Sequence, residues 1–493
     1  MSNRVIIEYN KNAKYPDSLH HRPSTKYPEY IFEELMSEKN DVYEMVRNGL
    51  YRMGLDRDNF NTKNWNPFAN YVNPGDNVLI KPNFVMHNNP SGEGTQCLYT
   101  QVSVIAPIID YVLIALKGKG KIVIGDAPMQ ECKFNILKEE SGIQALVDFY
   151  LNKGVDISLV DFRELTSNVV NGIHIAQINK DSKGTVIDLG KSSAFGCYDQ
   201  QHMKRTRITN YNPEILQTHH DGVKNEYYVS NYVLEADVVI NVPKPKTHRK
   251  AGVTIALKNL VGINVRKEYL PHHTLGSVSE GGDEYKTPNW IRKRRSYYLD
   301  KLNYYSAKEQ YNKAHFYKYL VRIADILLYF TGNKYTEGSW SGNNTISKTI
   351  ADLNKILLYA DKNGRMCESV QRKVFIVADM IISGEKEGPV MPSAKQVGII
   401  AMGDNPYYFD QAIATLMGAD IRKIPTLSEM MKIKERYEII QEEKEAFLIS
   451  NCESWNQKYI SDLDRDSLLY YVPTSGWKEA FFIQKKYKEK VLS

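Results

Sequence analysis

The chain has 493 residues, 42% of them hydrophobic and 25% charged, which is the make-up of a globular protein with room for two or three domains and a large core. A formal net charge of +6 over that length gives no general basis for binding nucleic acid, and no apolar run reaches the ~18 residues of a membrane span. The five cysteines, Cys97, Cys132, Cys197, Cys367 and Cys452, are odd in number and far apart, with no CxxC pair, so they read as reduced thiols and argue against an iron–sulfur cluster or a zinc finger.

Residues 1–75 read as an N-terminal extension with a strand at 4–9, a loop bearing Pro and His, and an amphipathic helix at 31–50. In that loop His20 and His21 are site candidates by residue type alone. The turn signal Asn73-Pro74-Gly75-Asp76 opens the first part of an α/β core, 76–270. Its apolar runs 78–80, 122–124 and 157–160 stop at Lys81-Pro82-Asn83, at Gly125-Asp126-Ala127-Pro128 and at Asp161. A helix over 102–116 separates the first two, so the unit reads βαβ with a parallel sheet. Ligands of open α/β sheets bind beyond the carboxyl ends of the strands. Lys81 and Asn83 are therefore expected to hold substrate in one crevice with Asp126, whose carboxylate is expected to hold a metal ion or else to form a turn or helix cap. Residues 165–235 are strand-like and turn-rich, with His202, Lys204, Arg205 and Arg207 in one segment and the pair His219-His220 in another. Neighbours in extended chain face opposite ways, so at most one of that pair serves a given site.

The most informative stretch is 236–259. Val238, Val239, Ile240 and Val242 form the run of a strand buried on both faces, and Pro243 and Pro245 stop it. Lys244, Lys246, Thr247, His248, Arg249 and Lys250 follow, then Gly252 and a helical run. A cationic loop between a buried strand and a helix start is expected to hold an anion. Lys244 and Lys246, two apart in extended backbone, are expected to reach one phosphate or carboxylate, with Thr247, Lys258 and Asn259 also binding substrate. Lys246 and His248 are expected to take part in catalysis, His248 by moving a proton. The alternative is a solvated basic turn.

PKPKTH followed by GVTIALKNLVGI, with VLIKPN upstream and GDAP between them, resembles the signature of the DUF362 family of proteins of unknown function, over 77–425. The resemblance implies little about chemistry, because the family's reaction is poorly defined. Many members carry a ferredoxin-like cluster-binding segment that this chain lacks. The segment GINVRKEYLPHHTLGSVSEGGDEY at 262–285 is similar to members associated with bacterial surface-polysaccharide gene clusters.

Residues 271–345 read as a loop and helical insertion. The loop carries His272, His273, Asp283 and Glu284 among glycines, and is expected to supply His272 to catalysis and Asp283 and Glu284 to a metal. Helices at 290–305 and 316–330 combine Arg292, Lys293, Arg294 and Arg295 with aromatic residues. They are expected to touch a membrane surface or a lipid-linked anionic substrate, or to form a lid or dimer contact. The second part of the core, 346–425, is expected to hold a helix at 349–359, a strand at 374–377, a loop at 383–389 and a helix at 411–417. Gly403-Asp404-Asn405-Pro406 echoes Gly125-Asp126-Ala127-Pro128, which raises the expectation of two related half-sheets. Residues 426–493 read as a charged helix and an extended arm.

The sequence thus predicts an α/β protein with a mostly parallel sheet, flanking helices, a helical insertion and a C-terminal extension. With no basic-plus-apolar leader at its start, it reads as cytoplasmic. The expected function is an enzyme acting on a phosphorylated or carboxylated sugar-type molecule with a divalent metal ion, without nucleic acid as partner. A lactate-racemase-like isomerase and a non-catalytic assembly protein of a polysaccharide pathway are the alternatives.

Overall fold

The apolar runs become strands of one sheet: β1 (Arg4–Tyr9), β2 (Asn77–Pro82), β3 (Lys121–Asp126), β4 (Ile157–Asp161), β5 (Val238–Val242), β6 (Lys246–His248), β7 (Gly252–Thr254), β8 (Lys373–Glu387), β9 (Met391–Gly403), β10 (Phe447–Ser450) and β11 (Lys458–Tyr459). The computed structural model describes residues 2–17, 21–331, 335–434, 436–440 and 444–482, so His20 lies outside the described residues. Strand order is β11-β10-β1-β9-β8-β5-β2-β3-β4, with the β6–β7 hairpin attached to β8. The run β8-β5-β2-β3-β4 is parallel throughout, and β9 is antiparallel to both neighbours.

Alternation along the strands divides the core between two faces. Val78, Ile80, Ile122, Ile124, Val238 and Ile240 pack toward helices α1 (Asp41–Arg52), α2 (Val102–Leu116) and α3 (Ile143–Asn152). Leu79, Val123 and Val239 pack toward the other face. That face is covered by the short helix α4 (Ala256–Asn259), by α7 (Thr345–Tyr359) and by α8 (Pro406–Leu416). The insertion is an antiparallel pair, α5 (Trp290–Ala307) and α6 (Tyr311–Phe330), stacked through Tyr305 and Tyr317 with ring centroids 5.5 Å apart.

The structure corrects four expectations. Residues 31–40 precede the first helix, which begins at Asp41 behind an Asn40 cap. The expected loop at 383–389 is mostly the outer end of β8, 15 residues long. Gly384 makes that possible, because a Cβ there would lie 2.9 Å from the Cys97 carbonyl and from the Lys246 and Pro392 Cβ atoms. The echo at Gly403-Asp404 does not mark a second half-sheet. Because β9 runs antiparallel, Asp404 leaves the sheet toward the edge where the parallel strands begin, whereas Asp126 leaves from the edge where they end. Among the described residues the C-terminal arm, expected as a strand or extended segment, holds no strand beyond Tyr459; instead the 3₁₀ turn Ser475–Ala480 buries Trp477 completely.

Trp477 lies over Gly252, where a Cβ would come within 2.7 Å of its ring, and its Nε1 donates to the Arg249 carbonyl at 2.7 Å. The arm thereby holds the turn between β6 and β7. Trp477→Ala is expected to lower unfolding free energy by about 3–5 kcal/mol, as other truncations of buried aromatics do. Urea denaturation of both proteins measures it, and a cost within ~0.5 kcal/mol would mean the arm is not packed as described.

Candidate functional site

Strands β5 and β2 end side by side, Asn241 level with Lys81 and Val242 with Pro82, and Asp126 closes β3 beside them. A cavity of about 670 Å³ opens beyond these ends. It is lined by Arg249, Lys250, Lys258, Lys267, His248 and His272, together with the apolar Phe84, Val85, Met129, Ile208, Val390 and Met391. The carboxylates that reach it are Asp126, Glu131 and Glu387. Cations therefore predominate.

Asp126 is already engaged. Its carboxylate accepts from Lys81 Nζ at 2.7 Å, from the Phe84 amide at 2.6 Å and from its neighbour Ala127 at 2.8 Å. Lys81 also donates to the Pro82 carbonyl at 2.7 Å and to Asn259 Oδ1 at 3.3 Å, and burial draws its pKa below the usual lysine value even though Asp126 opposes this. Gly262 packs so closely that a Cβ would fall 2.0 Å from the Asp126 carboxylate.

The cations lining the cavity are less well neutralised. Lys258 and Arg249 have no side-chain hydrogen bond or ion pair among the described residues. Lys267 donates to the Ala127 carbonyl at 2.8 Å, and Lys250 to Thr209 Oγ1 at 2.8 Å. Burial, with the charge of Lys81 adding to it, brings Lys258 to about 8. Burial also brings Lys250 and Lys267 to about 7 against the pull of Glu337 and Asp126 respectively. Lys250 is buried, Lys258 and Lys267 are half-buried and Arg249 is exposed; a cation withdrawn from water without a counter-ion is costly, and an anion entering the cavity relieves that cost at the three lysines.

Both histidines are neutral, and their free nitrogens differ. His248 Nδ1 accepts from the amides of Lys250 and Ala251, each at 3.0 Å, so Nε2 carries the hydrogen. His272 Nδ1 lies 2.7 Å from the Leu270 carbonyl, which can only accept, so Nε2 carries the lone pair. Burial, then nearby cations, holds both imidazoles well below their usual pKa: Lys258 and Arg249 at His248, Lys250 and Lys258 at His272. One ring thus offers a donor and the other an acceptor.

The helix start that supports these groups is capped from a distance. Asp410, on α8, accepts from the Ala256 amide at 2.8 Å and from Leu257 at 3.2 Å, which fixes α4 and with it Lys258 and Asn259. Asn259 in turn donates to Asn241 Oδ1 at 2.7 Å. Burial raises the Asp410 pKa well above the ordinary carboxylate value.

Of the expected site residues, Lys81, Asn83, Asp126, His248, Lys258, Asn259 and His272 surround the cavity or its floor. The others do not line it. Lys244 is fully buried and pairs with Asp379 at 3.0 Å and with Tyr15 at 2.6 Å, so it binds the protein's own carboxylate in place of a ligand. Lys246, also fully buried, reaches Asn83 Oδ1 at 2.5 Å and acts on the cavity only through that side chain. The pleat explains the split: Lys246 lies in β6 against β8, whereas Lys244 is tied to Asp379 between β5 and β8. Thr247 donates to the Lys386 carbonyl at 2.9 Å.

Asp283 accepts from the amides of Asn344 and Thr345 at 2.9 and 2.7 Å, from Thr345 Oγ1 at 2.6 Å and from the Thr274 amide at 2.6 Å; it caps α7. Glu284 accepts from Ser296 and from the Gly276 amide at 3.2 Å, and burial raises it to about 7. Asp126, Asp283 and Glu284 are thus saturated separately and do not fit a shared metal. Arg249, Lys250 and Lys267 are the functional candidates the sequence did not single out. The first two belonged to the basic run, but no spacing marks Lys267, which reaches the cavity from the turn Lys267–Tyr269.

Residues 78–191 and 199–415 match the profile of a domain of unknown function, DUF362. The chain belongs to the DUF362 family. Within this family the expected signature residues are those just described: PKPKTH forms the turn after β5 and β6, and GVTIALKN forms β7 and α4. The chain is also similar to a thylakoid-associated protein of Synechocystis sp., 26% identical over 194 residues that make up 39% of this chain and 41% of that protein. No solved structure matches this DUF362 chain.

The two buried lysine and aspartate roles are separable from ligand binding. Lys244→Ala strands Asp379 and is expected to destabilise by about 3–5 kcal/mol. Asp283→Ala leaves several donors at the start of α7 unpaired and is expected to cost at least about 1–3 kcal/mol. Thermal melts and sulfate titration of each variant check this; a variant with an unchanged melt but lost sulfate binding would move that residue into the site.

Proposed function

We propose that this chain is an enzyme that binds a carboxylated or phosphorylated, sugar-type small molecule in the cavity and transfers a proton at a carbon next to its carbonyl or carboxyl group. The observation that carries this reading is the pair of neutral imidazoles of opposite tautomer, His272 with a free Nε2 lone pair and His248 with Nε2–H, lining one cation-rich cavity. In this reading Lys258 and Arg249 hold the anionic group. His272 takes the proton and His248 donates a hydrogen bond to the oxygen on which charge develops; such base catalysis contributes about 10²–10⁴-fold. Asp126 keeps Lys81 charged beneath the site, and Lys246 positions Asn83. The isomerase alternative agrees with this arrangement better than a metal-assisted reaction through Asp126, Asp283 and Glu284, whose oxygens are engaged elsewhere. Five free thiols support a cytoplasmic setting, and no helix among the described residues is long and apolar enough to cross a membrane.

Sulfate, whose charge is constant over the neutral range, tests the anion site. Lys258→Ala is expected to weaken it by roughly one to two decades, since a hydrogen bond to a charged group contributes about 1.5–3 kcal/mol. Affinity is expected to fall from pH 6 to pH 9, as Lys250 and Lys267 near 7 and Lys258 near 8 lose their protons. Stability of the ligand-free protein carries the opposite sign. These lysines titrate below the unfolded value of 10.5, so the unfolded chain holds more protons between about pH 7 and 10, and their contribution to stability rises with pH there. Calorimetry and melts across that range read both; pH-independent sulfate binding would remove the lysines from the site.

The proton-transfer step is read by incubating sugar acids and sugar phosphates with the protein in D₂O and following C–H loss by NMR. Exchange is expected at one carbon, and His272→Gln is expected to slow it by about 10²–10⁴-fold while leaving sulfate affinity within about threefold. Exchange that persists in His272→Gln would discard His272 as the base.

A further inference from the structure

Helix α6 has two apolar faces. Ala314, Val321, Ala324 and Leu328 are buried. On the other side Phe316, Tyr319, Ile323, Ile326 and Phe330, spaced by three and four residues in turn, are between 41% and 79% exposed. A continuous exposed stripe of this size has a partner in most proteins that carry one.

Charge distinguishes the kinds of partner. From 290 to 330 there are nine Lys and Arg against three Asp and Glu, a surplus of six that equals the whole chain's +6, so the remainder is balanced. Two of the three acids are already committed: Asp300 to Arg207 at 2.9 Å and Asp325 to Arg295 at 2.5 Å. A second copy of the same helix is a poor match. In a self-paired seam the flanking positions are His315, Arg322 and Tyr329 on one side and Leu320 and Leu327 on the other, with no acid to receive the arginine. Trp290 at the start of α5 and Tyr329 and Phe330 at the end of α6 are also largely exposed, and such rings favour the boundary between headgroups and acyl chains.

We propose that the α5–α6 hairpin docks on an anionic lipid surface, with the stripe from Phe316 to Phe330 entering the headgroup boundary and the exposed Lys313 and Arg322 that flank it facing the phosphates. The helix lies in the plane of that surface, since it is not apolar enough to cross it. This surface is separate from the cavity, and its test does not depend on the substrate.

The experiment is vesicle flotation of the full chain with phosphatidylcholine alone and with about one third phosphatidylglycerol. Binding is expected to be at least tenfold stronger on the anionic vesicles and to decline with added salt. Ile323→Ser with Phe330→Ser is expected to lower it about tenfold or more. Lys313→Ala with Arg322→Ala is expected to lower it on anionic vesicles to a similar degree, each lost cation near the surface costing roughly fivefold. All four positions are exposed, and a circular-dichroism melt checks that both variants fold. Absence of binding to anionic vesicles, equal binding to both compositions, or unchanged binding by both variants would overturn the proposal. So would a dimer in light scattering that Ile323→Ser with Phe330→Ser converts to monomer, because the stripe would then be a contact between copies.

Discussion

Two strand ends and a turn meet at one carboxylate. Asp126 takes the ammonium of Lys81 and two backbone amides at the point where β2, β3 and the turn from Asn83 to Phe84 converge. A lysine as deeply buried as Lys81 is tolerated only with such a partner, because an isolated cation in the interior costs several kcal/mol. The pair holds β2 and β3 in register at their carboxyl ends and sets the floor of the cavity. Asn259 and Gly262 are both built against it, so the helix start carrying Lys258 is referenced to the same point.

Above that floor the chemistry is one of unsatisfied charge. The protein gathers Arg249, Lys250, Lys258 and Lys267 around a space where Asp126 is already taken by Lys81, and the cost is visible in lysines drawn toward neutral pH. Burial, and then these same cations, hold both imidazoles well below their usual pKa, and backbone contacts decide which nitrogen of each ring bears its hydrogen. Anion affinity and proton transfer therefore arise from one electrostatic arrangement.

Much of this was legible in the sequence because it is local. Buried parallel strands are continuous apolar runs, so the βαβ start and the proline-stopped strand before Lys244 were plain, and the strand-end argument named Lys81, His248 and Lys258, which lie at the cavity or its floor. What was not legible depends on partners distant in sequence. Lys244 and Lys246 are alike in composition and spacing, yet Asp379 claims the first and Asn83 the second. Asp283 looks like a ligand until the start of α7 arrives to use its oxygens. The direction of β9 was hidden as well, because an apolar strand reads the same whichever way it runs.

Strand β1 lies between β9 and β10, and its contacts reach residues as much as 443 positions later, as at Ile7 and Ser450. β1 therefore has no neighbour in its sheet until residues almost four hundred positions and more further along the chain are in place. Such long-range closure slows folding and leaves a bare strand exposed to mispairing in the meantime. Truncation before residue 391 would remove both sheet neighbours of β1 and leave its apolar residues with no native place to go.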